Sequence, residues 1–189
     1  MKLYLIRHGR TEWNVEGKIQ GSTDIELNAE GLIQAVQLSE KIRNLNYRFS
    51  GIYSSPQKRA VQTAEILSRE TEMDYRTKYG LEEINLGEWE GLSWSEVQQT
   101  YPKEFKYWFE NRQYAKPPKG ESYQEMIDRV LSALNEIIME INEDVVIITH
   151  SAVIMCLQCY LTNTPFEDMT KFKTENSAIT VIDAALIRV

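Results

Sequence analysis

Val145-Val146-Ile147-Ile148-Thr149 is an almost unbroken run of β-branched residues. A run without apolar–polar alternation is predicted to be a strand buried on both faces, which implies a mostly parallel sheet covered by helices on each side. The rest of the chain supplies the parts. Lys2 to Arg7, Gly51 to Ser55 and Ala178 to Ile182 read as strands, and Asp74 to Leu81 as a weaker extended segment. A helix is expected from Asn28-Ala29-Glu30-Gly31 to about Leu45, with Leu32, Ala35, Val36, Leu38 and Ile42 as its apolar stripe. A second begins at Pro56, where the missing N–H costs nothing, and carries Ala60, Val61, Ala64, Ile66 and Leu67. A third, after Gly120, places Ile127, Val130, Leu131, Leu134, Ile137, Ile138 and Ile141 on one face, and a fourth follows His150-Ser151. Strands alternating with helices define the expected fold: α/β, a three-layer α/β/α arrangement around a mostly parallel central sheet.

One stretch breaks the alternation. From about residue 88 to residue 118 the aromatics Trp89, Trp94, Tyr101, Phe105, Tyr107, Trp108, Phe109 and Tyr114 crowd together, and a helix is expected from about Ser95 to Asn111, closed by Pro117-Pro118. This reads as a small helical insertion serving as a cap on a single domain of residues 1–189. Trp94, Phe105 and Trp108 have the spacing of residues that pack a helix onto the main body, leaving Tyr101, Tyr107 and Tyr114 as candidate substrate contacts.

The net charge of −7 argues against a broad basic field, so neither nucleic acid nor a membrane surface is expected as a partner. A small anion feels only its own pocket and stays compatible. No apolar run reaches the ~20 residues of a membrane span, and the opening Met1 to Ile6 meets Arg7 too early for a signal peptide, so a cytoplasmic location is expected. Cys156-Leu157-Gln158-Cys159 has redox-pair spacing but lies within an apolar helix pattern, which marks core packing. No sequence feature specifies an oligomeric state.

Ligands of such sheets bind at the carboxyl ends of strands. The chain has two histidines, His8 and His150, and each directly follows a predicted strand. No third ligand in a zinc pattern, no nucleotide-binding glycine loop and no G-x-S-x-G elbow occurs, so neither a metal nor a cofactor is expected. What surrounds the histidines is positive charge. Arg7 precedes His8, Gly9 follows it with no side chain to keep a ligand from the backbone, and Arg59 enters the helix after the second strand. Guanidinium suits phosphate oxygens, and two arginines converging with two imidazoles call for an anion between them.

Leu5-Ile6-Arg7-His8-Gly9-Arg10-Thr11-Glu12-Trp13-Asn14 resembles the signature of the histidine phosphatase superfamily, the phosphoglycerate-mutase-like family. The likeness continues through Gln20-Gly21-Ser22-Thr23-Asp24, Ser54-Ser55-Pro56 with Arg59-Ala60 and Gln62-Thr63-Ala64, Leu81-Glu82-Glu83-Ile84, Gly87-Glu88-Trp89-Glu90-Gly91, Gly120-Glu121-Ser122, Arg129-Val130 and Thr149-His150, in the family's order over nearly the whole chain. The aromatic insertion is similar to that of small bacterial phosphatases, α-ribazole phosphatase-like members among them.

The resemblance implies roles. His8 is the expected nucleophile, forming a phosphohistidine, and flanking Arg7 and Arg59 disfavour its imidazolium by like charge. Arg7, Arg59 and His150 are expected to hold the phosphoryl oxygens. Asn14, Gln20 and Gly21 are the expected auxiliary contacts, and Ser151 opens a helix whose N-terminus adds its dipole. Of two adjacent carboxylates the family's spacing makes Glu83 the proton donor. Alternation along an extended segment turns Glu82 the other way, to solvent.

Two departures stand out. Ser151-Ala152 replaces the family's frequent Gly-Gly, and Arg10, a surface residue or an extra cation at the mouth, stands where an acid or glutamine is common. The implied activity is metal-independent hydrolysis of the phosphomonoester of a small phosphorylated metabolite. The insertion is short for a mutase, which must shelter its phosphoenzyme from water. Mutase-type phosphoryl transfer and a non-catalytic phospholigand-binding pseudoenzyme are the alternatives.

Overall fold

The computed structural model describes residues 1–44 and 49–187. In chain order the elements are β1 (Lys2–Arg7), α1 (Glu12–Val15), α2 (Ala29–Asn44), β2 (Phe49–Ser54), α3 (Lys58–Thr71), β3 (Tyr75–Thr77), α4 (Trp94–Thr100), α5 (Pro102–Glu110), α6 (Tyr123–Glu140), β4 (Asp144–Thr149), α7 (Ser151–Thr162) and β5 (Ile179–Asp183). The strands form one sheet in the order β3-β2-β4-β1-β5. β1 runs parallel to β4 with Arg7 opposite Thr149, and β2 runs parallel to β4 and to β3. β5 alone is antiparallel, against β1.

The period of two along each strand divides the core. Leu3, Leu5, Val145 and Ile147 face α6 and α7, meeting Val130, Leu134, Ile137, Val153 and Leu157. Tyr4, Ile6, Ile52, Val146 and Ile148 face α2 and α3, meeting Leu38, Ile42, Ala60, Ala64 and Leu67. Val145 to Ile148 are all fully buried, which gives the three-layer α/β/α fold with a mostly parallel sheet.

Several boundaries differ from expectation. The helix expected from Ser95 to Asn111 is two helices, because Pro102 opens α5 and Tyr101 before it sits at φ −127°, ψ 52°, outside the helical region. α3 starts at Lys58 rather than Pro56, since Gln57 is extended at φ −70°, ψ 137°. On α2 the buried face is Gly31, Ala35, Leu38, Ser39 and Ile42, while Leu32 and Val36 are exposed. The expected end of that helix, Leu45, lies outside the described residues. Ile141 caps α6 in an extended conformation instead of continuing it.

Within the 88–118 stretch, Trp89 and Trp108 are fully buried edge-on to each other, ring centroids 5.2 Å apart. Trp108 also lies 5.8 Å from Tyr123 of α6. Each such ring removes about 150–250 Å² from water, worth roughly 4–6 kcal/mol at ~25 cal/mol/Å², which draws them inward. Cys156 and Cys159 are buried free thiols. Among the described residues no helix is long and apolar enough to cross a membrane.

Candidate active site

The carboxyl end of β1 delivers His8 into a tightly wired turn. Its backbone N–H donates to the Thr149 carbonyl at 3.0 Å, its own carbonyl accepts from Asn176 Nδ2 at 3.0 Å, and the next N–H, of Gly9, donates to Thr63 Oγ1 at 3.1 Å. The ring is fixed by Nδ1, 2.7 Å from the Gly9 carbonyl oxygen. A carbonyl only accepts, so Nδ1 carries the proton and Nε2 keeps its lone pair. Burial, then Arg59, then Arg7, push the imidazole pKa well below its ordinary value, which leaves the ring neutral.

Both arginines reach this point. Arg59 is fully buried and is held by carbonyls rather than carboxylates: Nη1 donates to Thr23 O and Nη2 to Gly21 O, each at 2.8 Å. Desolvation lowers its pKa to about 10. Arg7 donates from Nη1 to Thr174 O at 2.7 Å. The Nε atoms of both are buried without a partner, which leaves N–H groups unspent.

Glu83 lines the same cavity of about 210 Å³ as Arg7, His8 and Arg59. Its Oε1 accepts from Ile84 N at 3.0 Å and its Oε2 from Ala152 N at 3.3 Å, so one free amide at the start of α7 is taken by this carboxyl. Burial raises its pKa, against the opposing pull of Arg59 and these N–H groups. Glu82 is only partly solvent-facing, with 27% of its side chain exposed. Its Oε2 accepts from Gly80 N at 2.6 Å and stands 3.6 Å from Arg129. The segment is not a strand, so simple alternation does not apply. Arg129 shapes it by donating to the carbonyls of Gly80, Glu82 and Glu83 while pairing with Glu121.

His150 caps β4, with its ring centroid 5.1 Å from that of His8. It is fully buried. Nε2 is 2.8 Å from Ser55 Oγ, and Ser55 Oγ already accepts from Gln57 N. When the serine proton is directed at Nε2, the imidazole proton sits on Nδ1, a buried nitrogen with no partner. Burial and Arg59 lower this pKa too.

Asn14, Gln20, Gly21 and Ser151 all line the cavity. Asn14 Oδ1 accepts from Thr11 N and from Asn176 Nδ2, and Gln20 Oε1 accepts from Thr11 Oγ1. Gly21 has φ 52°, and a Cβ there would strike the Glu90 carboxylate. Gly9 has a different purpose from the one expected: a Cβ would lie 2.6 Å from the Gly31 carbonyl oxygen, so its bareness lets β1's turn pack on α2. Arg10 pairs with Glu30 at 2.8 Å in a neighbouring polar cavity. Of the aromatics between residues 88 and 118, Trp94 lines the site, whereas Tyr107 and Tyr114 are exposed elsewhere. Sequence reasoning assigned no role to Gln57, whose Oε1 accepts from Glu83 N while Nε2 donates to Gly21 O, tying the two sides of the site together. Among the described residues no group of three or more His, Cys, Asp and Glu is placed to hold a metal ion.

A neutral imidazole with a bare Nε2, two arginines without carboxylate partners and a carboxyl of raised pKa share one pocket on an α/β sheet. The family model described as histidine phosphatase superfamily (branch 1) matches residues 3–185, and the chain belongs to that superfamily. It is 36% identical over 171 residues to 6-phosphofructo-2-kinase/fructose-2,6-bisphosphatase 3 of Rattus norvegicus, covering 90% of this chain and 29% of that protein. The chain therefore spans less than a third of that relative's length. Among solved structures, Bacillus stearothermophilus YhfR superposes with a TM-score of 0.85 at 30% identity, covering 96% of this chain and 90% of that one. The α-ribazole phosphatase from Shigella flexneri gives 0.83 at 27% identity, covering 97% and 90%.

Proposed function

We propose that this protein hydrolyses phosphomonoesters of small phosphorylated metabolites through a phosphohistidine on His8, without a metal. The observation that carries this reading is the 2.7 Å contact from His8 Nδ1 to the Gly9 carbonyl, which leaves a neutral Nε2 lone pair in a cavity shared with Arg7, Arg59 and Glu83. In the first step Nε2 attacks phosphorus and the bond to the leaving oxygen breaks, while Glu83 gives that oxygen its proton. Arg7, Arg59 and the Nδ1–H of His150 take up the charge on the phosphoryl oxygens. In the second step the Glu83 carboxylate accepts a proton from the water that attacks phosphorus. The P–N bond breaks, and phosphate and neutral His8 are restored.

Asn14, Gln20, Gly21 and Ser151 form the surrounding wall. Trp94 is the aromatic of the 88–118 stretch on that wall, and the shortness of that stretch supports hydrolysis over return of the phosphoryl group. Turnover of p-nitrophenyl phosphate in excess EDTA, inhibited by vanadate, is the expected result. Activity abolished by the chelator and restored by a divalent ion would overturn the mechanism.

A further inference from the structure

Gln57 is 7% exposed and stands at the N-cap of α3, just before Arg59. That position favours Ser, Thr, Asp or Asn, whose short side chains accept from the helix's own free N–H groups. Gln57 makes no such bond, and the Lys58 N–H donates instead to Asp24 Oδ1 at 2.7 Å. The amide is used across the site. Its Oε1 accepts from Glu83 N at 2.8 Å, and its Nε2 donates to Gly21 O at 3.0 Å. An acceptor facing an N–H and a donor facing a carbonyl leave one orientation for the amide.

Each partner is itself a support. Gly21 O also accepts from Arg59 Nη2, at 2.8 Å. Through its backbone, Gln57 N donates to Ser55 Oγ, the hydroxyl that meets His150 Nε2. Glu83 lies in no helix or strand, so no ladder of hydrogen bonds fixes it. Its carbonyl accepts from Arg129 Nη2, and its N–H donates to Gln57. Its carboxyl binds the very next N–H, of Ile84, so the placement of this backbone decides where the acid sits.

Building on the proposed phosphatase reading, we infer that Gln57 is a positioning residue for proton donation: its amide sets the Glu83 carboxyl against the phosphate-holding Arg59. Methionine has nearly the same length but offers no donor and only a weak acceptor. Asparagine keeps the amide but, one methylene shorter, cannot span both partners.

Misplacing a reacting group slows the step that needs it. In Gln57→Met, single-turnover phosphohistidine formation should fall about tenfold more with an alkyl phosphate than with p-nitrophenyl phosphate, the value of one hydrogen bond. Gln57→Asn should change the ratio of the two rates in the same direction. Gln62→Met is the control. It removes a bond of the same kind on the same helix, from Leu27 N at 2.8 Å, and should leave that ratio unchanged. A loss equal for the two substrates in both Gln57 variants, or the same change of ratio in Gln62→Met, would overturn the positioning role. If Gln57→Met does not fold, as circular dichroism will show, Gln57→Asn decides alone.

Glu83→Gln tells the two claims apart. If it shows the leaving-group dependence and the Gln57 variants do not, the mechanism stands and the positioning falls. If wild-type protein hydrolyses neither substrate, or Glu83→Gln shows no such dependence, the proposed mechanism falls. NMR titration of the Glu83 carboxyl carbon then decides on the positioning without turnover. That carboxyl shares its surroundings with Arg7, His8, Arg59 and Tyr123 on the cavity wall and with the Cys156 thiol, and burial holds its pKa up. Gln57→Met should admit water and move the midpoint down toward the ordinary carboxylate range. A midpoint unmoved or raised overturns the positioning.

Discussion

His8 and His150 stand at the ends of adjacent strands, each one residue beyond the Arg7–Thr149 pair, and burial followed by Arg59 keeps both rings from protonating. They differ in which nitrogen is tied down. In His8 a carbonyl holds Nδ1, and because a carbonyl has no proton to give, the ring must supply it and Nε2 is bare. In His150 a hydroxyl meets Nε2, and a proton donated from it leaves the ring proton on Nδ1. One hydrogen bond each turns two like side chains at matched positions into a lone pair and an N–H, suited to attack and to oxyanion binding respectively.

The largest expected effect comes from removing the lone pair. His8→Ala should lower turnover by at least about 10⁴-fold, and a rate within tenfold of wild type would end the distinction between the two rings. Glu83→Gln should slow phosphohistidine formation about 10²–10⁴-fold with an alkyl phosphate and far less with p-nitrophenyl phosphate, whose leaving group needs no proton. Single-turnover kinetics reads this, with Glu82→Gln as the control. The first step needs a protonated Glu83, so its rate should fall as pH rises through that group's raised pKa, and Glu83→Gln should flatten this alkaline limb. The acid limb belongs to His8, which loses its lone pair only when pH drops through its depressed pKa.

His150→Ala deletes a donor instead of a nucleophile. It should cost about 10²–10³-fold in kcat, as loss of one oxyanion contact does, while a phosphohistidine still forms. Ser55→Ala sharpens the comparison most finely. It frees the His150 tautomer and should cost about tenfold, and an unchanged kcat would mean that Ser55 does not set it.

β1 was legible to the residue and β4 to within one, because long apolar runs ending at polar residues leave little freedom of assignment. The break between α4 and α5 was also available: Pro102 disfavours a helical Tyr101, a signal masked by the aromatic periodicity around it. The residues grouped around His8 followed from the rule that ligands sit at strand ends, with the family resemblance choosing Glu83 over Glu82. Their supports did not follow. Asn176 holds the His8 carbonyl from 168 residues away, and Gln57 joins Glu83 to Gly21 through an ordinary amide whose importance lies entirely in where the fold puts it. Local spacing encodes strands and helices, whereas these contacts exist only after the sheet has assembled.

The central claim, that the hydrogen bond to Gly9 makes His8 Nε2 the nucleophile, is tested most directly by locating the phosphoryl group. Rapid mixing with a labelled phosphomonoester, an alkaline quench that preserves phosphoramidates, and phosphorus NMR with mass spectrometry of the peptides would assign both residue and nitrogen. The account expects an alkali-stable, acid-labile label on Nε2 of His8, absent in His8→Ala and formed slowly in His150→Ala. Label on His150, or on Nδ1 of His8, would contradict it.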